Sequence, residues 1–273
     1  MFGVSLGIRV GNTSISGGGV PIDTDAQAYF DRVTTAGGTL TTTEKTAVNQ
    51  LVIDLKANSL WTPMKAIYPM VGSSAAACAQ NLKSSSFTGT FSSGWTFAST
   101  GVTPNGTSSY MSTGFSINTE QASANNYTHG FYSGSIGGAS ATRCSMGALT
   151  VGSESDILIR WSLGNFYANI CEQLYNNAII NNDTHGFYVA NRNTTNRTQS
   201  WKNGVKIVDI INVPSSKTTD FIIIGARNDN GTPNFFDNKR CQFAFMGDSL
   251  SDANQTNFYT AVQAFQTTLS RNV

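Results

Sequence analysis

The apolar residues of this chain come in short runs that are separated by turn-forming residues. A clean run such as Phe221 to Ile224 is far too short to cross a bilayer as a helix. The Asn203-Gly204 pair, the strongest short hairpin signal, stands just before a run of β-branched residues that begins at Val205. Similar turn signals recur along the chain as far as Gly247. This spacing predicts a mainly β protein built as a β-sandwich.

Composition excludes several classes of protein. The formal net charge is +1 and charged residues make up 12% of the sequence, whereas a nucleic-acid-binding surface needs clustered Lys and Arg. Hydrophobic residues make up 40%, which is enough for a core. The first residues contain no basic segment followed by an apolar run, so we expect no secretory signal. We expect neither a nucleic acid nor a membrane as partner.

The sequence divides into three parts. Residues 1–22 alternate weakly between apolar and polar and contain Gly17 to Gly19, so they are predicted to form an arm. Residues 23–60 are predicted to form a small helical hairpin, and residues 61–273 a β-sandwich that ends in a helix. The arm either completes a sheet of its own chain or docks on a neighbouring subunit.

Helix-capping signals locate the predicted helices. Asp23 or Thr24 can cap the first helix, and Thr41 with Glu44 has the spacing of a capping box for the second. Ser251 can cap the C-terminal helix. The apolar residues of that helix that fall on one face are Phe258, Val262, Phe265 and Leu269.

The four cysteines are scattered through the chain and form no Cys-x-x-Cys pair. This spacing favours buried thiols in a protein made in a reducing cytosol over a disulfide framework or a zinc site. They are Cys78, Cys144, Cys171 and Cys241.

A short repeat contains the only two histidines. Thr128 to Tyr132 recurs as Thr184 to Tyr188, which places His129 and His185 at equivalent positions. The repeat either marks two equivalent strands with aromatic residues facing inwards or forms a His-aromatic binding surface. We favour the first interpretation, because no third ligand or acid has matching spacing.

Acid-base chemistry has few candidate residues. Glu154 and Asp156 could share one face of a strand, as the carboxylates of a glycosidase would. The pair more often marks a solvated start of a strand, and the sequence contains no nucleophile elbow, zinc-binding helix or phosphate loop. We therefore expect no catalytic residues and no enzymatic activity, with a glycan lyase or glycosidase as a distant alternative.

Two loops could bind ligands. Asn228-Asp229-Asn230-Gly231 is rich in oxygen ligands and could bind Ca²⁺, but the same residues form ordinary turns. We therefore predict no metal site and no cofactor.

The second loop, residues 191–201, is rich in amides and ends in a tryptophan, and sugars bind to aromatic faces and paired hydrogen-bonding groups. The alternative is a solvated hairpin rim in which the tryptophan points into the core. The predicted ligand-binding residues are Asn193, Asn196, Arg197 and Trp201.

Four stretches of the sequence resemble a known module. They run from Leu60 to Gly72, from Ser109 to Phe115, from Lys202 to Val205, and from Ile224 to the C-terminal helix. Together they resemble the concanavalin A-like, or laminin-G-like, jelly roll found in structural proteins of tailed bacteriophages. The first twenty residues lie outside the resemblance.

The resemblance implies a virion structural protein, either a capsid decoration protein, a head fibre or a tail appendage. Its N-terminal region would bind other virion proteins, and its sandwich would be displayed. We expect synthesis in the host cytoplasm, residence in the virion, and a homo-oligomer within the particle. The alternative is a carbohydrate-binding receptor-recognition module for host-surface glycans.

Overall fold

The computed structural model describes residues 20–136, 140–173, 177–194 and 196–272. Most of the predicted arm, residues 1–19, lies outside this range. The described helices are α1 (Thr24–Thr35), α2 (Thr42–Ala57), α3 (Ala75–Cys78), α4 (Ile117–Glu120) and α5 (Asp252–Thr268), with a 3₁₀ turn at Ser162–Gly164.

The strands of the first half of the chain are β1 (Met64–Tyr68), β2 (Thr90–Phe91), β3 (Thr96–Ala98), β4 (Gly101–Thr103), β5 (Met111–Ser116), β6 (Tyr127–Ser133), β7 (Met146–Thr150) and β8 (Ser153–Leu158). Those of the second half are β9 (Asn165–Glu172), β10 (Ile179–Ile180), β11 (Gly186–Arg192), β12 (Arg197–Lys202), β13 (Val205–Ile211), β14 (Phe221–Ile224), β15 (Arg227–Asp229), β16 (Thr232–Asn234) and β17 (Cys241–Gly247).

Two sheets form a sandwich. Sheet A has the order β13-β12-β11-β6-β17-β4-β3. Strand β4 pairs with the start of β17, and β1 pairs with its later residues, from Ala244 to Gly247. Sheet B has the order β10-β9-β8-β7-β14-β5-β2. The hairpin β15–β16 joins sheet B because β15 pairs with β7, the one parallel pairing among the described strands. The predicted mainly β sandwich with an N-terminal helical part and a C-terminal helix is confirmed.

The helices pack on the face of sheet A that points away from sheet B. One hydrophobic cluster combines residues of α1, α2 and α5 with Tyr132, Phe187 and Phe243 of sheet A. A second cluster fills the sandwich and includes Phe131 and Tyr188 of sheet A with residues of β5, β7, β8, β9 and β14. Sheet A is therefore covered on both faces, which explains why β6, β11 and β17 are buried at every position.

The capping signals place the helix ends correctly. Asp23 caps α1, Thr41 and Glu44 form the predicted capping box of α2, and Ser251 caps α5. The N-terminal hairpin rests on the sheet, and α5 packs beside it, with its apolar face buried. These signals are local in sequence, so they depend little on the rest of the fold.

The Asn203-Gly204 turn joins β12 to β13 as the sequence predicts. Both residues have positive φ, 50° and 74°, as a type I′ turn requires. The φ at Gly204 and its contact with the Tyr259 ring, where a Cβ would approach within 2.6 Å, both demand glycine.

The histidine repeat marks two neighbouring strands. β6 and β11 pair antiparallel, with Tyr132 opposite Phe187 and Phe131 opposite Tyr188. His129 is fully buried, and the aromatic residues point into the two cores. The aromatic residues face inwards as predicted, but the two strands are not equivalent. Phe131 and Tyr188 point into the sandwich, whereas Tyr132 and Phe187 point towards the helices.

All four cysteines are buried and free, as predicted. Within the described ranges, no helix is long and apolar enough to cross a membrane.

Candidate functional site

The outer face of sheet B carries a charged cluster where three strands meet. Gly147 of β7 lies between Asp156 of β8 and Arg227 of β15 and is paired with both. Because residue 147 has no side chain, the Arg227 side chain can cross β7 towards β8. A Cβ at this position would lie 2.5 Å from the Cβ of Asp156. The glycine is therefore what allows the cluster to form.

The Arg227 guanidinium binds three carboxylates. Its Nη1 donates to Oε2 of Glu154 at 2.9 Å and to Oδ2 of Asp156 at 3.1 Å. Its Nε donates to Oδ1 of Asp229 at 2.6 Å. The Arg227 side chain is 6% exposed, whereas the carboxylates of Glu154 and Asp229 are 17% and 18% exposed. One buried cation thus holds two partly exposed carboxylates and one buried carboxylate in place.

Asp156 is the most perturbed acid of the cluster. It is fully buried, and its Oδ1 accepts a hydrogen bond of 2.7 Å from Nδ2 of Asn169 on β9. Burial raises the pKa of the Asp156 carboxyl to about 7, although the neighbouring Arg227 favours the ionised form. Burial therefore outweighs the attraction of the guanidinium at this carboxyl.

Aromatic side chains extend the cluster across the surface. The Arg227 guanidinium lies over the Phe235 ring, 4.7 Å from its centroid, and Phe235 meets the Trp161 ring edge-on with centroids 5.1 Å apart. Both rings are half-buried. Tyr167, also half-buried, lies on the same face of β9 as Asn169. The surface formed by Trp161, Phe235, Arg227, Glu154 and Asp229 is called the sheet B platform below.

The sheet B platform combines side chains of the types that can bind a sugar. Partly exposed rings offer apolar faces on which the C–H side of a pyranose or furanose can stack. Partly exposed carboxylates accept hydrogen bonds from hydroxyl groups, and such charge-assisted bonds are short and strong. The buried guanidinium fixes the positions of these carboxylates, so little ordering is needed on binding.

The sequence-based interpretation of Glu154 and Asp156 as a solvated start of a strand is wrong. Asp156 is fully buried, and both carboxylates share the Arg227 guanidinium. The partner is separated from them by 71 and 73 residues, so no local pattern could indicate it.

Trp201 offers no face to a ligand. It is 5% exposed and belongs to the core between sheet A and the helices, which is the alternative that the sequence left open. The prediction of Trp201 as a sugar-stacking residue is therefore corrected. Trp201 is the last of four consecutive buried positions on β12, and its side chain lies under the helical layer.

The other three predicted ligand-binding residues lie near the start of β12. Arg197 forms an ion pair of 2.7 Å with Asp209, and Nδ2 of Asn193 donates to the Leu250 carbonyl at 2.9 Å. The backbone N–H of Asn196 donates to Oδ1 of Asn125 at 3.2 Å. Each of the three residues binds a different part of the chain, and their role in ligand binding stays a prediction.

The Asn228–Gly231 segment forms the β15–β16 turn, with positive φ at Asn230 and Gly231. Asp229 binds Arg227, and Oδ1 of Asn230 accepts a hydrogen bond of 3.0 Å from the Val151 N–H. These contacts fit the turn that the sequence offered as the alternative to calcium. No cluster of three or more His, Cys, Asp or Glu side chains suited to a metal occurs within the described residues.

Sequence reasoning missed Arg227, Trp161 and Phe235 as site residues. One signal was present: Glu154 with Asp156, and Arg227 with Asp229, are charged pairs spaced two apart, so each pair shares one strand face. The sequence predicts a turn at residues 228–231, however, so this spacing does not identify the two pairs as partners. The pairing of β15 with β7, which brings them together, is not visible in the sequence.

Neither protein-family models nor curated proteins match this chain. Several solved structures, however, match its fold. Domain 4 of AbnA, a GH43 extracellular arabinanase from Geobacillus stearothermophilus, was solved in complex with arabinotriose and matches with a TM-score of 0.52. The match has 12% sequence identity and covers 71% of this chain and 97% of that one.

The binding domain of botulinum neurotoxin serotype D matches with a TM-score of 0.50 and 11% identity. This match covers 74% of the present chain and 52% of the toxin domain, so the chain spans about half the length of that relative. At such identities the similarity establishes the fold, a β-sandwich of the jelly-roll type. Neither structure is described as a virion component, and the phage part of the resemblance stays a prediction.

Proposed function

We propose that this chain is a carbohydrate-binding β-sandwich module and that the sugar binds at the sheet B platform. The observation that carries the proposal is the continuous series from the Trp161 ring through Phe235 and Arg227 to the partly exposed carboxylates of Glu154 and Asp229. The arabinanase domain, which shares the fold, was solved with arabinotriose, and this supports a sugar as the ligand.

We further propose that binding occurs without catalysis. A glycosidase needs one carboxyl group as acid and a second as nucleophile or base. Here Glu154 and Asp156 both accept from the same Nη1 of Arg227, so neither is held free to attack a sugar or to activate water. Incubation with bound oligosaccharides should leave them intact, and cleavage that Glu154→Gln abolishes would contradict this proposal.

Titration calorimetry with arabinotriose and a panel of other oligosaccharides tests the binding proposal. Trp161→Ala should weaken binding about tenfold, equivalent to about 1.4 kcal/mol, because it removes the stacking surface. Trp61→Ala is the matched control: Trp61 is also half-buried but packs beside the helical layer. Equal loss in both variants, or no binding by the parent chain, would contradict the proposal.

A second proposal concerns where the module is displayed. Val20 and Ile22, the first described apolar residues, are 61% and 56% exposed, as expected for a segment that continues into an anchoring arm. We propose anchoring in a virion through residues 1–22, as a homo-oligomer assembled after synthesis in the host cytoplasm. Deleting this segment should abolish incorporation into particles and leave the fold intact. Unchanged incorporation would contradict the proposal.

A further inference from the structure

The polar groups of the sheet B platform favour one chemical class of sugar. Anionic sugars are normally bound by a free Arg or Lys side chain that can donate two parallel hydrogen bonds. At the platform the Arg227 donors already point at protein carboxylates: Nε and Nη2 at Asp229, and Nη1 at Glu154 and Asp156. The guanidinium therefore donates its hydrogen bonds to carboxylates of the protein and not to a sugar.

The groups that remain partly exposed are acceptors. Glu154 and Asp229 flank Arg227, so these three side chains together carry one net negative charge, and buried Asp156 adds a second when it is ionised. A sugar hydroxyl can donate to these oxygens. A sugar carboxylate or sulfate placed there would be repelled, and in a partly buried site this repulsion is screened less than in water.

Arg160, which follows β8 in the chain, does not place its guanidinium at the Arg227 cluster, where it could bind an anionic sugar. Its Nε lies 3.8 Å from the position that a Cβ on Gly164 would occupy, a position that is also 3.9 Å from the Asn181 carbonyl. The side chain thus extends beside the 3₁₀ turn towards the β10 side, whereas the Arg227 cluster lies on the β7 side of β8.

We propose that the sheet B platform takes uncharged oligosaccharides and discriminates against sugars that carry a carboxylate or a sulfate. This inference rests on the proposed function. It adds that Glu154 and Asp229 are specificity-determining residues, which accept hydrogen bonds from hydroxyl groups and repel anionic groups.

The test compares matched oligosaccharides that differ only in oxidation of C6, binding to the full chain at low ionic strength. Suitable pairs are glucan with glucuronan, galactan with galacturonan, and mannan with mannuronan. The neutral member of the pair that binds should bind at least about tenfold more tightly than its acidic counterpart, and added salt should narrow the gap.

The double variant Glu154→Gln with Asp229→Asn should reduce this preference several-fold, because the repulsion is lost while hydrogen-bonding oxygens are kept. Asp31→Asn removes one carboxylate on the exposed side of α1, beyond sheet A from the platform, and as a control should leave the preference unchanged. If the double variant is destabilised, the salt dependence of the parent chain provides the same test.

The outcomes separate this inference from the proposed function. If the acidic member binds equally well or more tightly, the proposed preference for uncharged sugars is wrong, but the proposal of carbohydrate binding still stands. A preference for neutral sugars that neither the double variant nor salt changes overturns the role of the carboxylates. If no sugar of either kind binds, the proposed function itself fails and this inference fails with it.

Discussion

Arg227 and Asp156 lie 71 residues apart in sequence, yet Nη1 of one is 3.1 Å from Oδ2 of the other across a glycine on the strand between them. The pair is enclosed: Asp156 is fully buried and Arg227 nearly so. Removing one member of such a pair leaves an uncompensated buried charge, which costs far more than removing both.

Arg227→Met should therefore lower the free energy of unfolding by about 3–5 kcal/mol. Denaturant unfolding of the variant, of Asp156→Asn and of the double variant measures the coupling between the two residues. We expect the double variant to be less destabilised than the sum of the single variants. Additive losses, or a loss below about 1 kcal/mol for Arg227→Met, would show that the ion pair does not stabilise the fold.

The cluster also predicts how the protein responds to calcium. The Asp229 carboxylate already binds a cation, Arg227, and Oδ1 of Asn230 accepts from the backbone, so the turn offers Ca²⁺ few free ligands. The midpoint of thermal unfolding and the affinity for sugar should be the same in excess CaCl₂ and in excess EDTA. A fall in either quantity with EDTA, restored by Ca²⁺, would contradict this expectation.

His129 should make stability sensitive to acid. Burial lowers the pKa of its imidazole to about 3 in the folded state, whereas the unfolded value is near 6.5. The unfolded state then binds protons more readily, so this contribution to stability is present above pH 6.5 and is lost as the pH falls towards 3.

The raised pKa of Asp156 acts in the opposite direction. Its contribution is present below pH 3.8 and is lost as the pH rises to about 7, so the two groups partly offset each other between pH 4 and 6.5. His129→Leu should therefore lose less stability than the parent chain when the pH is lowered from 6.5 to 4. Urea unfolding at each pH measures this, and parallel curves for the two proteins would contradict it.

The C-terminal helix should contribute strongly to the fold. Phe265 is buried between α5 and sheet A, where its ring packs against Phe243 with centroids 6.0 Å apart. Phe265→Ala should lower the free energy of unfolding by about 3–5 kcal/mol through lost burial and a cavity. Thr267→Ala, on the exposed side of the same helix, is the control. A loss below about 1 kcal/mol for Phe265→Ala would show that the helix is peripheral.

Local features of the fold could be predicted from the sequence, and for a common reason. The capping box of Thr41 and Glu44, the cap at Ser251 and the turn at Asn203-Gly204 each depend on residues a few positions apart. Their interactions form in almost any context, so the pattern alone is enough.

The candidate site depends on long-range contacts and could not be predicted in the same way. Glu154 and Asp156 have the composition of an exposed strand end, and only a partner more than 70 residues away places them in a cluster. Trp201 lies beside a polar turn, but the helices that follow and precede the sandwich cover its side of sheet A. In both cases a segment that is distant in sequence buries one face of the strand. A sequence pattern of a few residues contains no information about that segment.

The central claim is that a sugar contacts the outer face of sheet B and not the rim segment that ends at Trp201. The chain has four tryptophans, and their indole N–H signals in a ¹⁵N-labelled sample can be assigned with Trp→Phe variants. When a bound neutral oligosaccharide is titrated in, we predict that the Trp161 signal shifts with saturation and that the buried Trp201 signal stays in place. A spectrum in which Trp201 moves while Trp161 does not would contradict the account.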